Sequence, residues 1–379
     1  RPTFARIKEG ALIREQQHIL PYEQLQWLKD IGFTRLRLPK AHGGFDATIP
    51  ELFALLIELA EADSNLPQAL RVHFGFTEDV LVSKDKAFQQ RWLSRIANGE
   101  TVGSAWSEGG KESIDQFETH LYRDSEGKIR VKGKKYYTTG SLYADWVDVG
   151  VTDLKGESGS VVVRREDEGV EIVDDWNGFG QRTTASGTVK LHNVVVDPTL
   201  FFDERIIADT PNVRGAYSQL LQVAIDVGIA EAAFDDTLSS IRKARPIIDA
   251  GVEKASEEHY TLQEVGKLNI LLDAAILLLD DAAEYLDELD QLTEISAEQA
   301  ARASILVAEA KIYANDAALH ISEKLLELGG SRASLSQHNL DQHWRNARVH
   351  TLHDPVRWKF HAIGDYYLNG TYPARHAWI

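Results

Sequence analysis

Apolar positions recur along this chain with two periods, and the period changes twice. From Tyr22 to about Gly99 the spacing is helical. Tyr22, Leu25, Trp27 and Leu28 open an amphipathic run; a turn follows at Pro39–Gly44; Leu52, Leu55, Leu56 and Leu59 then return on one face. Thr48 and Glu51 stand at capping-box spacing ahead of that face, with Pro50 in the first turn. A further helix carries Phe88, Trp92, Leu93 and Ile96 and is expected to end at Asn98–Gly99. From Thr101 the period falls to two. Phe117, Thr119 and Leu121 alternate with polar residues before a hairpin turn at Asp124–Gly127. Short strands are expected around Ile129 and Val131, Tyr136–Thr139, Trp146–Val151, Val161–Val163 and Val189–Val196.

After about Asp203 the helical period returns and lasts almost to the end. Leu221, Ile225, Ile229 and Ala232 mark one stripe, Leu268, Leu272, Ala275 and Leu279 a second, and Ala301, Ile305, Ala308 and Ile312 a third. Thr261 with Glu264, and Ser296 with Gln299, have capping-box spacing at two of the starts. Long amphipathic helices with short links predict an antiparallel bundle. Helices, then strands, then helices imply segregated domains rather than βαβ units. The expected fold is mainly α with a central β domain: an N-terminal helical domain over 1–100, a middle β domain over 101–205 and a C-terminal helical bundle over 206–379.

Composition narrows the function. A chain of 379 residues with 43% hydrophobic and 26% charged residues has enough apolar material for several cores. The formal net charge of −17 disfavours nucleic acid and anionic membranes as partners. Cysteine is absent, which excludes disulfides, thiolate nucleophiles and Cys-ligated zinc. Methionine is absent too and the first residue is Arg1, so a processed or trimmed start is expected. No apolar run reaches bilayer length and Arg1–Gly10 is unlike a signal peptide, which makes cytoplasm the expected location. No GxGxxG follows an expected strand, so a Rossmann nucleotide site has no support, and no GxSxG elbow supports a hydrolase.

Four ordered segments carry a resemblance. They are Val102 to Gly110 after the Asn98–Glu100 helix end, Lys135 to Gly140 with Ala144 to Trp146, Gly180 to Arg182 leading to Val194–Val196, and Leu328 to Gly330. Together they resemble the acyl-CoA dehydrogenase superfamily. Trp344 to Trp358, with His73 to Phe76 and Ala185 to Thr188, is similar to its sulfur-acquisition and dibenzothiophene monooxygenase branch. The resemblance implies a β-barrel-like middle domain, a C-terminal four-helix bundle, one flavin and a homo-oligomer, tetramer or dimer.

The same resemblance assigns candidate roles. Trp106 and Ser107 would give the flavin a wall and an edge hydroxyl, and Thr138 and Thr139 would reach its N5 or O4, Thr139 being the better N5 candidate. Arg345, with Arg348 and Arg357, would face a flavin phosphate; Gly329 and Gly330 would border the cofactor. Phe74, Phe76 and Ser104 would line the substrate pocket. The superfamily's catalytic Glu is replaced by Asp354, one methylene shorter. His353 suits another task, hydrogen-bonding an oxygen adduct of the flavin before it decays to hydrogen peroxide, with a carboxylate fixing its tautomer. His73 would act across the pocket. The plainer readings are a helix start with Asp354 as N-cap and Pro355 at N1, a buried His73, and solvated arginines. His350 and His353 stand three apart, but no HExxH accompanies them and no metal is expected.

The superfamily's Arg-x-x-Phe-Gly segment for FAD is not intact; Arg242 to Ile247 stands near its place, followed by extra residues over Gly251–Tyr260. Reduced FMN, delivered by a flavin reductase, is therefore expected ahead of FAD. The leading expectation is a two-component monooxygenase using oxygen and a small apolar or sulfur-containing substrate. The alternatives are FAD-dependent acyl-CoA dehydrogenation with Asp354 as base and a non-catalytic flavin-binding or scaffold protein.

Overall fold

The computed structural model describes residues 1–109, 117–202, 210–376 and 378–379, with Phe201 and Phe202 described by backbone alone. Gly110 and the expected boundary at 205/206 lie outside the described residues.

The N-terminal helices are α1 (Pro2–Gln17), α2 (Tyr22–Asp30), α3 (Ile49–Asp63), α4 (Asn65–Val82) and α5 (Lys86–Ala97). The Thr48 box forms: Thr48 Oγ1 accepts from Glu51 N at 3.3 Å and Glu51 Oε2 accepts from Thr48 N at 2.9 Å. Behind it Leu52, Leu56 and Leu59 are buried, each contributing on the order of 1.5–3 kcal/mol. Sequence periodicity did not anticipate α1, because few of its residues are apolar. Long-range polar contacts hold it: Arg14 pairs with Asp63 at 2.8 Å, both buried.

The middle region is one curled sheet of β1 (Val102–Ala105), β2 (His120–Arg123), β3 (Ile129–Lys135), β4 (Trp146–Thr152), β5 (Ser158–Arg164), β6 (Val170–Val173), β7 (Thr188–Val195) and β8 (Phe201–Phe202). The order is β6-β7-β3-β2-β4-β5-β8, with β1 parallel to β4. Residues Trp146–Val151 of β4 are buried on both faces. Val147, Val149 and Val151 point into the curl, while Trp146 packs with Trp92 and Phe76 against the helical domain. A strand covered on both sides is apolar for most of its length, and its one buried carboxylate, Asp148, accepts from the Trp106 ring N–H. The half-buried edge strand β6 was not expected, and the segment Tyr136–Thr139, expected as a strand, is a tight loop.

Three long helices, α6 (Arg214–Lys243), α7 (His259–Asp290) and α8 (Ala297–Gly329), form the C-terminal bundle. The short α9 (Asp341–His350) packs on α6 and α8 as the fourth member, and α10 (Arg357–Asn369) lies against α8. Buried alanines at 303, 310, 314, 317 and 318 let α8 approach its neighbours closely. Ser296 and Gln299 make a reciprocal cap, at 3.1 and 2.8 Å. Thr261 and Glu264 do not. The helix starts two residues earlier, Thr261 donates to Glu258, and Glu264 pairs with Lys267. Asp354 is not an N-cap either: α10 begins at Arg357 and Asp354 is buried in an ion pair.

Candidate active site

Two loops of the sheet region meet where it touches both helical parts. Residues 136–140 leave β3, and residues 180–187 precede β7. Thr138 donates from N and Oγ1 to Gly187 O at 3.0 and 2.9 Å, and Gly140 N donates to Thr184 O. The Thr139 and Ser186 hydroxyls lie 2.7 Å apart, and Ser186 lies 2.7 Å from the Thr184 hydroxyl, which donates on to Gln181 O. Tyr137, Gln181 and Ala185 are left-handed. For a bulky Tyr with φ 53° that conformation is strained and needs surrounding contacts to hold it.

Close approaches set this junction. A Cβ on Gly140, at φ +77°, would lie 2.1 Å from Ala69 O of α4; one on Gly180 would lie 2.0 Å from Arg345 O of α9. Asn65 accepts from Thr183 N, Gln181 donates to Ser64, and Asn346 accepts from Gln181 N. Helices α4 and α9 therefore fix the hydroxyl loops.

The second half of the site is ionic. Asp226, fully buried on α6, accepts from His350 Nδ1 at 2.5 Å and from Lys311 Nζ at 3.0 Å. Lys311 also donates to Gln222 Oε1 at 3.3 Å, and Gln222 Nε2 lies 3.3 Å from His353 Nδ1. Asp354 pairs with Lys359 at 3.0 Å and lies 3.4 Å from His353 Nδ1. Burial opposes the charged form of Asp226, but His350 and Lys311 outweigh it and hold its pKa below the ordinary value. For Asp354 burial is again the opposing influence, and the His353 bond, Lys311 and Lys359 depress its pKa well below the carboxylate range. Burial lowers the His353 pKa below the imidazole value, so its ring is neutral near pH 7.

The remaining expected residues divide. Trp106 donates its ring N–H to Asp148 at 2.7 Å and packs edge-on to Phe117. Ser107 is exposed beside Tyr136, and Ser104 is half-buried with its carbonyl accepting from Ser141. His73 is fully buried, with Nε2 2.8 Å from Thr34 O, and burial pushes its pKa down to about 4. Phe74 and Phe76 pack into two different cores, against Phe33 and against Trp92, so the aromatic lining expected of them is taken up by the helical domain. Arg345 is committed to Glu15, Asp341, Asn339 and Phe179 O. Arg348 opens instead onto a surface groove of about 520 Å³ that shares no residue with the ionic cluster, and Arg357 is exposed at the start of α10. Gly329 packs on Ala333, and Gly330, at φ +63°, ends α8.

Sequence reasoning missed Gln222, Asp226, Lys311, Lys359 and Tyr137. Three of them had a readable signal: Gln222 and Asp226, four apart, interrupt an apolar helix face, and Lys311 sits in an alanine-rich one. Buried polar residues on such faces need partners.

An isoalloxazine ring asks for a hydrogen-bonding edge and an aromatic wall. The Thr139–Ser186 hydroxyls, the free Ser107 hydroxyl and the Tyr137 ring, 66% exposed, are of that kind, so the residues present fit such a group. Comparison with known proteins agrees. A family model described as acyl-CoA dehydrogenase, N-terminal domain, matches residues 5–100, and one described as acyl-CoA dehydrogenase, C-terminal domain, matches 220–358. The chain belongs to the acyl-CoA dehydrogenase superfamily. It is 28% identical over 366 residues to the dibenzothiophene monooxygenase of Mycolicibacterium goodii, covering 93% of this chain and 88% of that one. It is 26% identical to the probable FMNH2-dependent monooxygenase SfnC of Pseudomonas putida, covering 99% and 95%. The structure of FMN-bound TdsC from Paenibacillus sp. A11-2 superposes with a TM-score of 0.94 at 26% identity, covering 100% of this chain and 98% of that one. The relatives it matches over nearly their whole length are monooxygenases of this fold, one of them named as FMNH2-dependent and one solved with FMN bound.

Proposed function

We propose that this superfamily member is the oxygenase half of a two-component FMN-dependent monooxygenase, with a separate flavin reductase and a small sulfur-containing substrate. The observation that carries the reading is the chain Lys311–Gln222–His353. A lysine ammonium can only donate, so the Gln222 atom facing it is the carbonyl oxygen, and the amide NH2 faces His353. In the neutral ring His353 Nδ1 then accepts from Gln222 and the proton sits on Nε2; Nδ1 donates to Asp354, 3.4 Å away, only when the ring takes a second proton. The ring is neutral, about a third exposed, and able to present its Nε2 proton to a bound ligand.

Reduced FMN, when bound, supplies the electrons that activate oxygen. Ser107, Thr139 and Ser186 would hold the ring edge and Tyr137 and Trp106 would border it, while Thr138 keeps the loop in place through Gly187. Ser104, near the end of β1, faces the substrate side, whereas Gly329 and Gly330 end α8 about 27 Å along the helix from Lys311, at the other end of the bundle. Arg345 clamps α9 to the 180–187 loop rather than offering free donors. Asp354 serves as a fixed counter-charge for Lys359 and Lys311. Its depressed pKa makes it a poor base for a carbon-bound proton, which weighs against acyl-CoA dehydrogenation. A scaffold would have no use for a buried ionic cluster costly to desolvate.

Exposed apolar residues on α7 (Leu262, Ile270, Leu277) and α10 (Trp358, Phe360, Leu368) support a homo-oligomer, tetramer or dimer. We place the enzyme in the cytoplasm, where reduced flavin is regenerated. Among the described residues no helix is long and apolar enough to cross a membrane.

The test supplies purified protein with FMN, NADH, an unrelated flavin reductase and isotopically labelled oxygen. One labelled atom should enter a thioether, thiophene or sulfinate. Release of hydrogen peroxide alone across that panel, with anaerobic bleaching of bound flavin by an acyl-CoA, would overturn the reading in favour of dehydrogenation.

A further inference from the structure

The ionic cluster does not balance. Its carboxylates are Asp226 and Asp354, and its cations are Lys311, Lys359 and Arg71, which leaves three positive charges against two negative ones. Lys311 is taken by Asp226 and Lys359 by Asp354, each at 3.0 Å. Among the described residues Arg71 is taken by no carboxylate. Its Nε is enclosed without a hydrogen-bond partner, and among the described residues its guanidinium makes no ion pair and lies over no aromatic ring. Burial lowers its pKa to about 10, with Asp354 opposing the shift, so it stays charged at neutral pH.

Position gives this cation a purpose. Arg71 lies on α4, two residues beyond Ala69, whose carbonyl packs against the Gly140 loop that carries Thr139. Its charge is felt by both Asp354 and His353. His73, two residues further along α4, is tied to Thr34 O within the helical domain, and Asn65 at the start of α4 is taken by Thr183 N, which leaves Arg71 as the α4 cation facing the ionic half.

We propose that Arg71 is a substrate-binding residue and that it takes a singly charged oxyanion head, a sulfinate in the sulfur-compound reading, placed beside His353. The class of substrate rests on the proposed function; the anion site does not. A guanidinium fork matches a two-oxygen anion with parallel hydrogen bonds and neutralises the excess charge of the cluster. A neutral aromatic sulfur heterocycle would fill the same space and leave the half-buried Arg71, with its enclosed Nε, unpaired, which discriminates against it. By this criterion the chain differs in substrate from a relative that oxidises dibenzothiophene.

The experiment measures binding, not turnover. Ethanesulfinate and its neutral counterpart, ethyl methyl sulfone, are titrated calorimetrically into the flavin-free and FMN-loaded protein, for wild type, Arg71→Gln and Arg71→Lys. Wild type should bind the sulfinate and not the sulfone. Arg71→Gln should weaken the sulfinate at least about 30-fold, the size expected on removing one partner of a buried charge pair. Arg71→Lys, which keeps charge and loses the fork, should recover part of the affinity and serves if the Gln variant does not fold. Equal binding of sulfinate and sulfone, or an unchanged sulfinate affinity in both variants, would sink the proposal. So would variants that lose FMN while keeping the sulfinate, because the guanidinium would then serve the cofactor. Loss of sulfinate binding in a protein that oxygenates nothing leaves the anion site standing and removes the monooxygenase reading alone.

Discussion

The two halves of the site are built from opposite materials. The 136–140 and 180–187 loops use neutral hydroxyls and main-chain groups that satisfy one another locally, with strain stored in left-handed Tyr137, Gln181 and Ala185. The closing helices use full charges, drawn from α6, α8, α9, α10 and the segment before α10, that are satisfied only when distant parts of the chain come together, with Arg71 of α4 left over. A hydroxyl network tolerates the loss of one member. A buried ionic network does not, because each deletion strands a charge in a medium that solvates it poorly. The neutral half suits a cofactor of fixed shape. The ionic half, carrying one positive charge in excess, is where ligand identity and pH should act.

The sharpest way to break this contrast is Lys311→Met. It leaves Asp226 with His350 as its remaining partner and frees Gln222, and should cost about 3–5 kcal/mol of stability in urea unfolding. A loss below about 1 kcal/mol would show that Asp226 is well solvated and the cluster is not a unit. Next comes His353→Gln, which removes the proposed proton donor. The yield of oxygenated product per NADH should fall about 100-fold, with oxygen appearing as hydrogen peroxide. Gln222→Leu should give a smaller fall and shift the pH profile, since it frees the His353 tautomer.

Acidification tests a buried histidine outside both halves. The folded pKa of His73, about 4, lies below its unfolded value near 6.5, so its contribution is full above pH 6.5 and declines as pH falls towards about 4. The loss should be on the order of 3 kcal/mol and should flatten in His73→Asn, read from urea midpoints across that range. Asp354 acts in a lower window. Its folded pKa is depressed, so its stabilisation is present above about pH 4 and lost only below. The smallest effect belongs to the hydroxyl half: Thr139→Val should weaken FMN by about 1 kcal/mol, several-fold in Kd, and leave folding intact.

Legibility followed the range of the interactions. The Thr48 and Ser296 caps and the stripes of α6, α7 and α8 were readable because each is written within a few residues. The Thr261 box failed because Glu258, three residues earlier, holds the helix start. Tyr136–Thr139 has the β-prone side chains of a strand, but its backbone donors go to Gly187, Tyr137 and Ser107 across a loop. The His73–Phe76 segment looked like a pocket wall, and its rings were drawn into cores on two sides of α4.

The sequence by itself determined the helix–sheet–helix order, the bundle stripes, the absence of thiol chemistry and the superfamily motifs, since local period and composition carry these. Only the tertiary structure decided that Asp354 is an ion-paired counter-charge, that Gln222 orients His353, and that Arg71 stands alone. Charge balance inside a protein depends on which groups lose water together, and that is set by contacts between residues as far apart as Asp226 and His350.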